Sequence, residues 1–372
     1  MLALPNLLHD RVRFVVTLIG IVFSVVLSAV QLGLFLGFTR ATADIIDQSS
    51  ADLWVISRGV THLESAVPFS DHLRHLALGV EGVADAQSHI ASFGKWTRPD
   101  GAHEGVVVVG LERDGVMGRP WNLVAGSSAD LERPDAVIVD ELYKEKLGVT
   151  RIGQVVELRD HRARVVGFTR GIRTFTTAPP VFTSLANARD YTGLRANQVL
   201  YVLVKAKPAT DIASLAAALE QRLPDVDVRT TADWSATQRD YWMFGTGAGI
   251  TVLIAAALGL LVGVVVVAQT IYAATVDHIR EYGTLKAMGA TNAYIYRVII
   301  KQAAIAGLIG YSVAIAVAAV VSRASQNGQT AIMLPWTLAA SLLALTLVMC
   351  ISASVVSINK VTRLDPAMVF KG

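Results

Sequence analysis

Cysteine is almost missing from this chain. Its 372 residues hold one, Cys350, inside an apolar run, so neither a disulfide nor a cysteine-based metal site forms within a single copy. Nucleotide-binding and hydrolytic signatures are missing too. No G-x-x-x-x-G-K-[ST] occurs, which excludes a P-loop of the chain's own, and no H-E-x-x-H, G-x-S-x-G or G-x-G-x-x-G occurs either. Charge is scarce at 17% against 53% hydrophobic residues, and mean hydropathy is +0.48. Within the longest apolar runs the central portions carry no ionised residue, which argues against a proton relay or an ion-coupled carrier.

What the chain has instead is four long apolar runs and one polar insert, the pattern of an integral membrane protein. Residues 1–13 read as an N-terminal interfacial segment retained ahead of the first span, with no cleavage pattern. Spans are expected at 14–38, 245–272, 298–321 and 334–358. Each is long enough to cross roughly 30 Å of hydrocarbon at about 1.5 Å per residue. A large domain at 39–244 separates the first two. A charged segment at 273–297 joins the second and third, an outer loop at 322–333 the third and fourth, and 359–372 forms the C-terminal tail.

Charge sorts these pieces by side. From Arg40 to Asp240 there are 23 Lys/Arg and 26 Asp/Glu, whereas the pieces at the other face, counted with Lys301 at the edge of the third span, carry 9 Lys/Arg and only Asp10, Asp277, Glu281 and Asp365. The positive-inside rule then predicts N-in and C-in, with the large domain outside. The pI near 9 reflects topology, and no nucleic-acid partner is expected.

The insert alternates strand and helix signals. Asp52–Ser57, Val106–Leu111, Leu200–Lys205 and Val226–Arg229 read as strands, Val137–Gly148 as strand, helix and glycine stop, Ile152–Thr169 as a β-hairpin or small β-subdomain, and Asp211–Leu223 as an amphipathic helix. The expected fold is therefore an α-helical membrane protein with four transmembrane helices and one large α+β extracytoplasmic domain between helices 1 and 2, with a split βαβ half at each end of that domain. Asp71, His72 and His75 carry two histidines at i and i+3 but lack further metal ligands at a known spacing, so they read as surface residues; no metal site is expected.

Small residues recur at four-residue spacing in the spans: Gly33/Gly37, Gly245/Gly249 and Gly259/Gly263. Such pairs let helices approach closely and point to helix packing, including across a homodimer. Gln31 is the one strongly polar side chain of the first span, suited to an interhelical hydrogen bond or a substrate contact. Tyr241, Trp242, Met243 and Phe244 cluster before the second span, as an interface anchor or as an entry for a lipophilic substrate from the membrane.

The segment from Ala273 to Gln302 organises the rest. It is charged, broken by Gly283 and Gly289, and carries apolar Ile279, Leu285 and Met288 among its charges. A chain with spans, an outer domain and no energy source of its own needs a cytoplasmic partner, and this segment is where one would dock. Its R-E-Y-G-T-L-K-A-M-G-A-T (Arg280–Thr291) resembles the R-E-I-G-x-L-x-A-x-G-A signature of MacB/FtsX-type ABC transporter permeases. Tyr282 stands where that pattern usually has an aliphatic residue. L-A-L-P-N-L (Leu2–Leu7), Q-L-G (Gln31–Gly33) and A-D-L-W-V-I-S (Ala51–Ser57) resemble the DevC branch in particular.

The resemblance implies a type VII ABC transporter: a homodimer of this chain with two copies of a separate cytoplasmic ABC ATPase, which alone binds ATP and Mg. It places the ATPase-coupling surface at Arg280, Glu281, Tyr282, Leu285, Lys286, Met288 and Gly289. It further implies mechanotransmission in place of passage through the bundle, export of a lipid, glycolipid or hydrophobic small molecule, a periplasmic membrane-fusion adaptor, contact with membrane lipids, and residence in the cell inner membrane. The chain itself would be a non-catalytic subunit. The alternatives are an FtsX-like transmitter regulating an extracytoplasmic hydrolase, or a haem exporter permease.

Overall fold

The computed structural model describes residues 11–174, 176–277, 284, 286 and 288–362. The chain divides into two compact units, one built of the span helices and one of Phe38–Gly249 together with the short piece Gln326–Thr330. Helix α1, Arg11–Ala41, leads from the first to the second.

The second unit is an α+β domain built on a ten-stranded sheet in the order β12-β1-β11-β3-β4-β9-β6-β8-β5, with β7 paired to β3 and β8. After the short helix α2 (Asp44–Asp47) come β1 (Leu53–Ser57), β2 (Phe69–Ser70), α3 (His72–Leu78), β3 (Val83–Thr97), β4 (His103–Leu111), β5 (Leu123–Ala125) and β6 (Ala136–Asp140). Then follow α4 (Lys144–Leu147), β7 (Val155–Leu158), β8 (His161–Thr169), β9 (Pro180–Ser184), α5 (Leu185–Thr192) and β10 (Gln198–Val199). The domain closes with β11 (Tyr201–Ala206), α6 (Ile212–Arg222), β12 (Val226–Thr230) and α7 (Thr231–Asp240).

β11 and β12 both pair antiparallel with β1, so they run parallel to each other with β1 between them and α6 as their crossover. β1 and β3 likewise flank β11 and are joined through α3. Two interlocked split βαβ units thus use the two ends of the domain sequence. The region from β4 to β10 is inserted between their second and third strands. β3 ties the parts together: Val83–His89 pair with β11, and His89–Thr97 pair with β4.

Local chemistry explains these elements. β1 (LWVIS) and β6 (AVIVD) are buried at every position, as strands covered on both faces should be. The β7–β8 hairpin turns on Arg159 and Asp160, both at positive φ (48° and 64°), the combination a two-residue hairpin turn of the right twist requires. Asp211 caps α6 by accepting from Ser214 N, and Leu215 and Leu219 face the core. The strand–helix–glycine pattern expected at Val137–Gly148 is β6, a 3-10 turn at Glu141–Tyr143 and α4, ended by Gly148 at φ 65°. Trp54, Trp96, Trp234, Tyr201 and Phe182 fill the core.

The span unit continues with α8 (Ala248–Asp277), α9 (Asn292–Ser325) and α10 (Trp336–Thr362). All four long helices have the length and apolarity to cross a membrane. Each differs from its expected span by a few residues, because amphipathic ends continue the helical hydrogen bonding past the apolar run. At the start of the second, Gly245 ends a π-helical turn, Tyr241–Gly245, Gly247 takes φ 75°, and the helix begins only at Ala248. Ile21, Val25, Val267, Ala303, Ala306, Ala314 and Cys350 form the shared core of the four helices.

Candidate functional site

Three places carry the expected functional residues. The first is the junction where the α+β domain meets the chain leading into α8. Gln238 of α7 is fully buried; its amide donates to Thr42 O (3.1 Å) and Glu64 Oε2 (3.3 Å), and its carbonyl accepts from Leu63 N (2.7 Å). Asp47 of α2 accepts from Ser235 (2.6 Å) and from Arg239. These bonds tie the segment after α1 to the segment before α8.

Tyr241 stacks on His62 at 3.9 Å and 5°, and Trp242 meets the same ring edge-on at 6.0 Å. Burial lowers the His62 pKa. Burial raises that of Glu64, with hydrogen bonds from Gln238 and Trp242 opposing it. Burial also raises Asp44, partly offset by Arg40, reinforced by Asp47 and offset again by Arg173. The four residues expected as an interface anchor or an entry for a lipophile are therefore divided. Tyr241 and Trp242 turn to His62, Met243 is buried and accepts from Thr39 Oγ1 at 3.6 Å, and only Phe244, 59% exposed, is open. A π-helical turn shifts successive side chains off one face, so adjacency in sequence does not become one surface.

The second place is the seam between α1 and α8. Ser24 Oγ donates to Gly263 O (3.1 Å). A Cβ at Gly259 would lie 3.1 Å from Gln31 Cγ, and one at Gly263 would lie 3.4 Å from Ser24 Cβ. The Gly259/Gly263 pair thus receives α1 of the same chain, and Gln31 packs in that seam. Gly33 and Gly37 close against the chain before α10: a Cβ at Gly33 would come within 2.6 Å of Met333 O, one at Gly37 would collide with Ala331 O, and Met333 N donates to Gly33 O (3.0 Å).

Gly245 and Gly249 do not share a helix face, because Gly245 lies before the helix and Gly249 abuts the backbone of Met243. These glycines were expected to serve helix packing, including across a dimer. Within one chain the close approaches are made to a helix and to an extended segment, since a small residue creates room without choosing what fills it.

The third place is the segment between α8 and α9. Arg280, Glu281, Tyr282 and Leu285 lie outside the described residues. Thr284 and Lys286 are helical, with Met288 N bonded to Thr284 O and Gly289 N to Lys286 O, both at 3.0 Å. Gly289 at φ 94° ends this turn, as a left-handed glycine after a helix commonly does. Met288 is 71% exposed.

Residues 14–222 match the family model of the MacB-like periplasmic core domain, and residues 253–366 that of the FtsX-like permease C-terminal region. This chain belongs to the MacB/FtsX family of ABC transporter permeases. Among solved structures, the permease is similar to the periplasmic region of MacB from Actinobacillus actinomycetemcomitans, at 11% identity over 51% of this chain and 92% of that one, TM-score 0.39. It is also similar to the extracellular domain of the ABC-type transporter YknZ from Gram-positive bacteria, at 17% identity over 48% of this chain and 98% of that one, TM-score 0.35. No curated protein matches it.

Permeases of this family are components of ABC transporters and work with ATPase partners. His72 and His75 of the permease are exposed, with rings 6.4 Å apart, and among the described residues no group of three or more His, Cys, Asp or Glu is placed to hold a metal ion. Sequence reasoning passed over Gln238, Asp47 and the buried His89. Each is a polar residue in an ordinary polar stretch, and its partners lie far away in the chain, so no local pattern marks it.

Proposed function

We propose that this permease is the membrane subunit of an ATP-driven exporter that moves a lipophilic substrate by mechanotransmission. Two copies of the chain pair with two copies of a cytoplasmic ATPase, which supplies the ATP and Mg chemistry, while the permease subunit performs no catalysis. The α+β domain faces the extracytoplasmic side of the inner membrane and works with a membrane-fusion adaptor, and both termini lie inside. The observation that carries this reading is Met288, bonded through its N–H to Thr284 O and displayed to solvent in the segment between two span helices, in a chain without a nucleotide-binding motif.

The junction supports the transmission step. Gln238 and Asp47 bond the segment after α1 to the segment before α8, and in this reading they are where movement of that helix pair enters the domain. The α1–α8 seam of Gly259, Gly263 and Ser24 serves the same end. Exposed Phe244 is the residue best placed to meet a lipophile.

The test is a detergent pull-down of the tagged permease from its native membrane, compared with Met288→Asp and Glu281→Lys. An ATPase that co-purifies with the unaltered chain and falls at least about tenfold with Met288→Asp is expected, since an interface hot spot of 2 kcal/mol or more is at stake. Absence of any ATPase from the unaltered sample would overturn the proposal. An outer hydrolase in place of an adaptor would move the reading to an FtsX-like transmitter.

A further inference from the structure

The loop between α9 and α10 belongs, by its contacts, to the α+β domain: Gln326–Thr330 group with Phe38–Gly249, while the residues on either side group with the spans. One side chain bonds the loop directly to the domain. Arg173 donates from Nη2 to Gln326 O (2.6 Å), from Nε to Gly328 O (3.1 Å) and from Nη1 to Gly171 O of its own turn (3.1 Å). Three donors of one planar guanidinium are spent on backbone carbonyls. An ammonium cannot reproduce that fork, because its donors radiate from a single atom.

The domain holds Arg173 firmly. Asp140, at the end of β6 and fully buried, accepts from Leu142 N (3.0 Å), Thr169 Oγ1 (2.9 Å) and Ile172 N (2.8 Å). Ile172 is itself fully buried, and Thr174 donates to Ala178 O (2.6 Å). The residues on both sides of Arg173 are therefore fixed, and its side chain leaves a rigid base. Beside it lies a cleft of about 710 Å³ whose walls include Glu141, Arg170 and Arg173 on the domain and Gln326 and Asn327 on the loop. Arg170 and Lys144 pair with Glu141 there (2.9 and 2.8 Å), leaving Arg173 as the cation that reaches across to the loop backbone.

We propose that Arg173 is a positioning residue that hangs the α9–α10 connection on the α+β domain. The domain is joined covalently to α1 and α8; through Arg173 it also carries the connection of the other two long helices. A displacement delivered along either helix pair is then shared by the domain and the loop. The mechanical consequence rests on the transmission reading above, whereas the latch itself does not.

The experiment places nitroxide labels on Thr150→Cys and Thr330→Cys, both exposed sites, in full-length permease in nanodiscs, with Cys350→Ala as background and unlabelled chains in excess. Pulsed dipolar measurement of the unaltered Arg173 protein should give one narrow distance. Arg173→Met should broaden it severalfold, and Arg173→Lys should broaden it nearly as much, because charge without the fork does not restore the latch. An equally narrow distribution in Arg173→Met overturns the proposal, and full rescue by Arg173→Lys overturns the fork as its basis.

With the ATPase bound, the distance should stay the same with and without ATP in the unaltered protein and should separate on ATP addition in Arg173→Met. An ATP-driven change of equal size in both proteins would overturn shared movement. If no ATPase associates with the unaltered chain, it is the proposed function that fails, while the nucleotide-free comparison still decides the latch.

Discussion

In the α+β domain the fully buried side chains are the largest the permease has, among them Trp54, Trp96, Trp234, Tyr201 and Phe182. In the span unit small side chains, Ala303, Ala306, Ala314, Ser24 and Ser28, lie between the helices beside Ile21, Val25 and Val267, while Ile19, Leu258, Leu261, Val320 and Val348 lie outward, each more than half exposed. The contrast follows from the solvent. Water drives large apolar side chains inward, at about 25 cal/mol per Å² of surface removed. Lipid tails are as apolar as leucine and drive nothing inward, so helices associate by close contact, which small residues allow. The domain is held by what it hides and the bundle by how closely its helices approach.

The most direct way to break that comparison is to truncate one large side chain in each unit. Trp96 is fully buried, and its indole donates to Leu147 O (3.0 Å) across the β3–α4 contact. Trp96→Ala should cost the domain about 3–5 kcal/mol by leaving a cavity and an unpaired carbonyl. Leu258→Ala, at a residue 56% exposed, should change stability by no more than about 0.5 kcal/mol. Chemical unfolding of the full chain in detergent, followed by tryptophan fluorescence for the domain and by helical circular dichroism for the spans, measures both. Equal losses would mean that the two units share one source of stability.

The same contrast explains what the sequence made legible. Four spans were readable because apolar length alone identifies them, and β1, β4, β6 and β11 because they are buried runs bounded by turns. β3 was missed. Its Asp85, Gln87, Ser88 and His89 interrupt any apolar alternation, yet Gln87, Ser88 and His89 are buried in the structure. Ser88 N is bonded to Glu112 (2.7 Å), and Gln87 Oε1 accepts from Met117 N (2.9 Å). Polar burial of this kind is settled by partners more than twenty residues away. The glycine spacings announced close approach but not its partner. Arg173 carries no signal at all, since Gln326 lies 153 residues further on.

A pH titration sharpens the comparison from the domain side. His89 is 1% exposed, sits edge-on to Trp54 at 5.6 Å, and burial pushes its pKa down from 6.5 to about 4. The unfolded chain therefore binds a proton before the folded one does. The stabilising contribution of neutral His89 is complete above pH 6.5 and is lost as pH falls toward 4, by roughly 3 kcal/mol over that window. Glu64 and Asp44, both raised by burial, act in the opposite sense, because the folded state takes up their protons first. Subtracting the profile of His89→Gln from that of the unaltered permease isolates the histidine. A difference profile that stays flat between pH 7 and 4 would show that His89 is not held neutral by the fold.

The smallest effect tests the span side, with two alanines placed on glycines of the same helical type. At Gly37 a methyl group would run into the backbone carbonyl of Ala331, which a rotamer change cannot move aside. Overpacking of that kind costs about 1–3 kcal/mol, so Gly37→Ala should loosen the contact before α10. At Gly263 the nearest atoms to a methyl group are Ser24 Cβ and Ser28 Oγ, both at 3.4 Å, the edge of ordinary contact. Gly263→Ala should be neutral or stabilising by up to about 1 kcal/mol, because alanine loses less backbone freedom than glycine in a helix. Resistance of the two variants to thermal loss of helicity in the same detergent orders them. If Gly263→Ala proved the more damaging, the α1–α8 seam would be tighter than the α1 contact with Ala331–Met333, and close approach in this bundle would be governed by helix pairs and not by the extended segment that α1 receives.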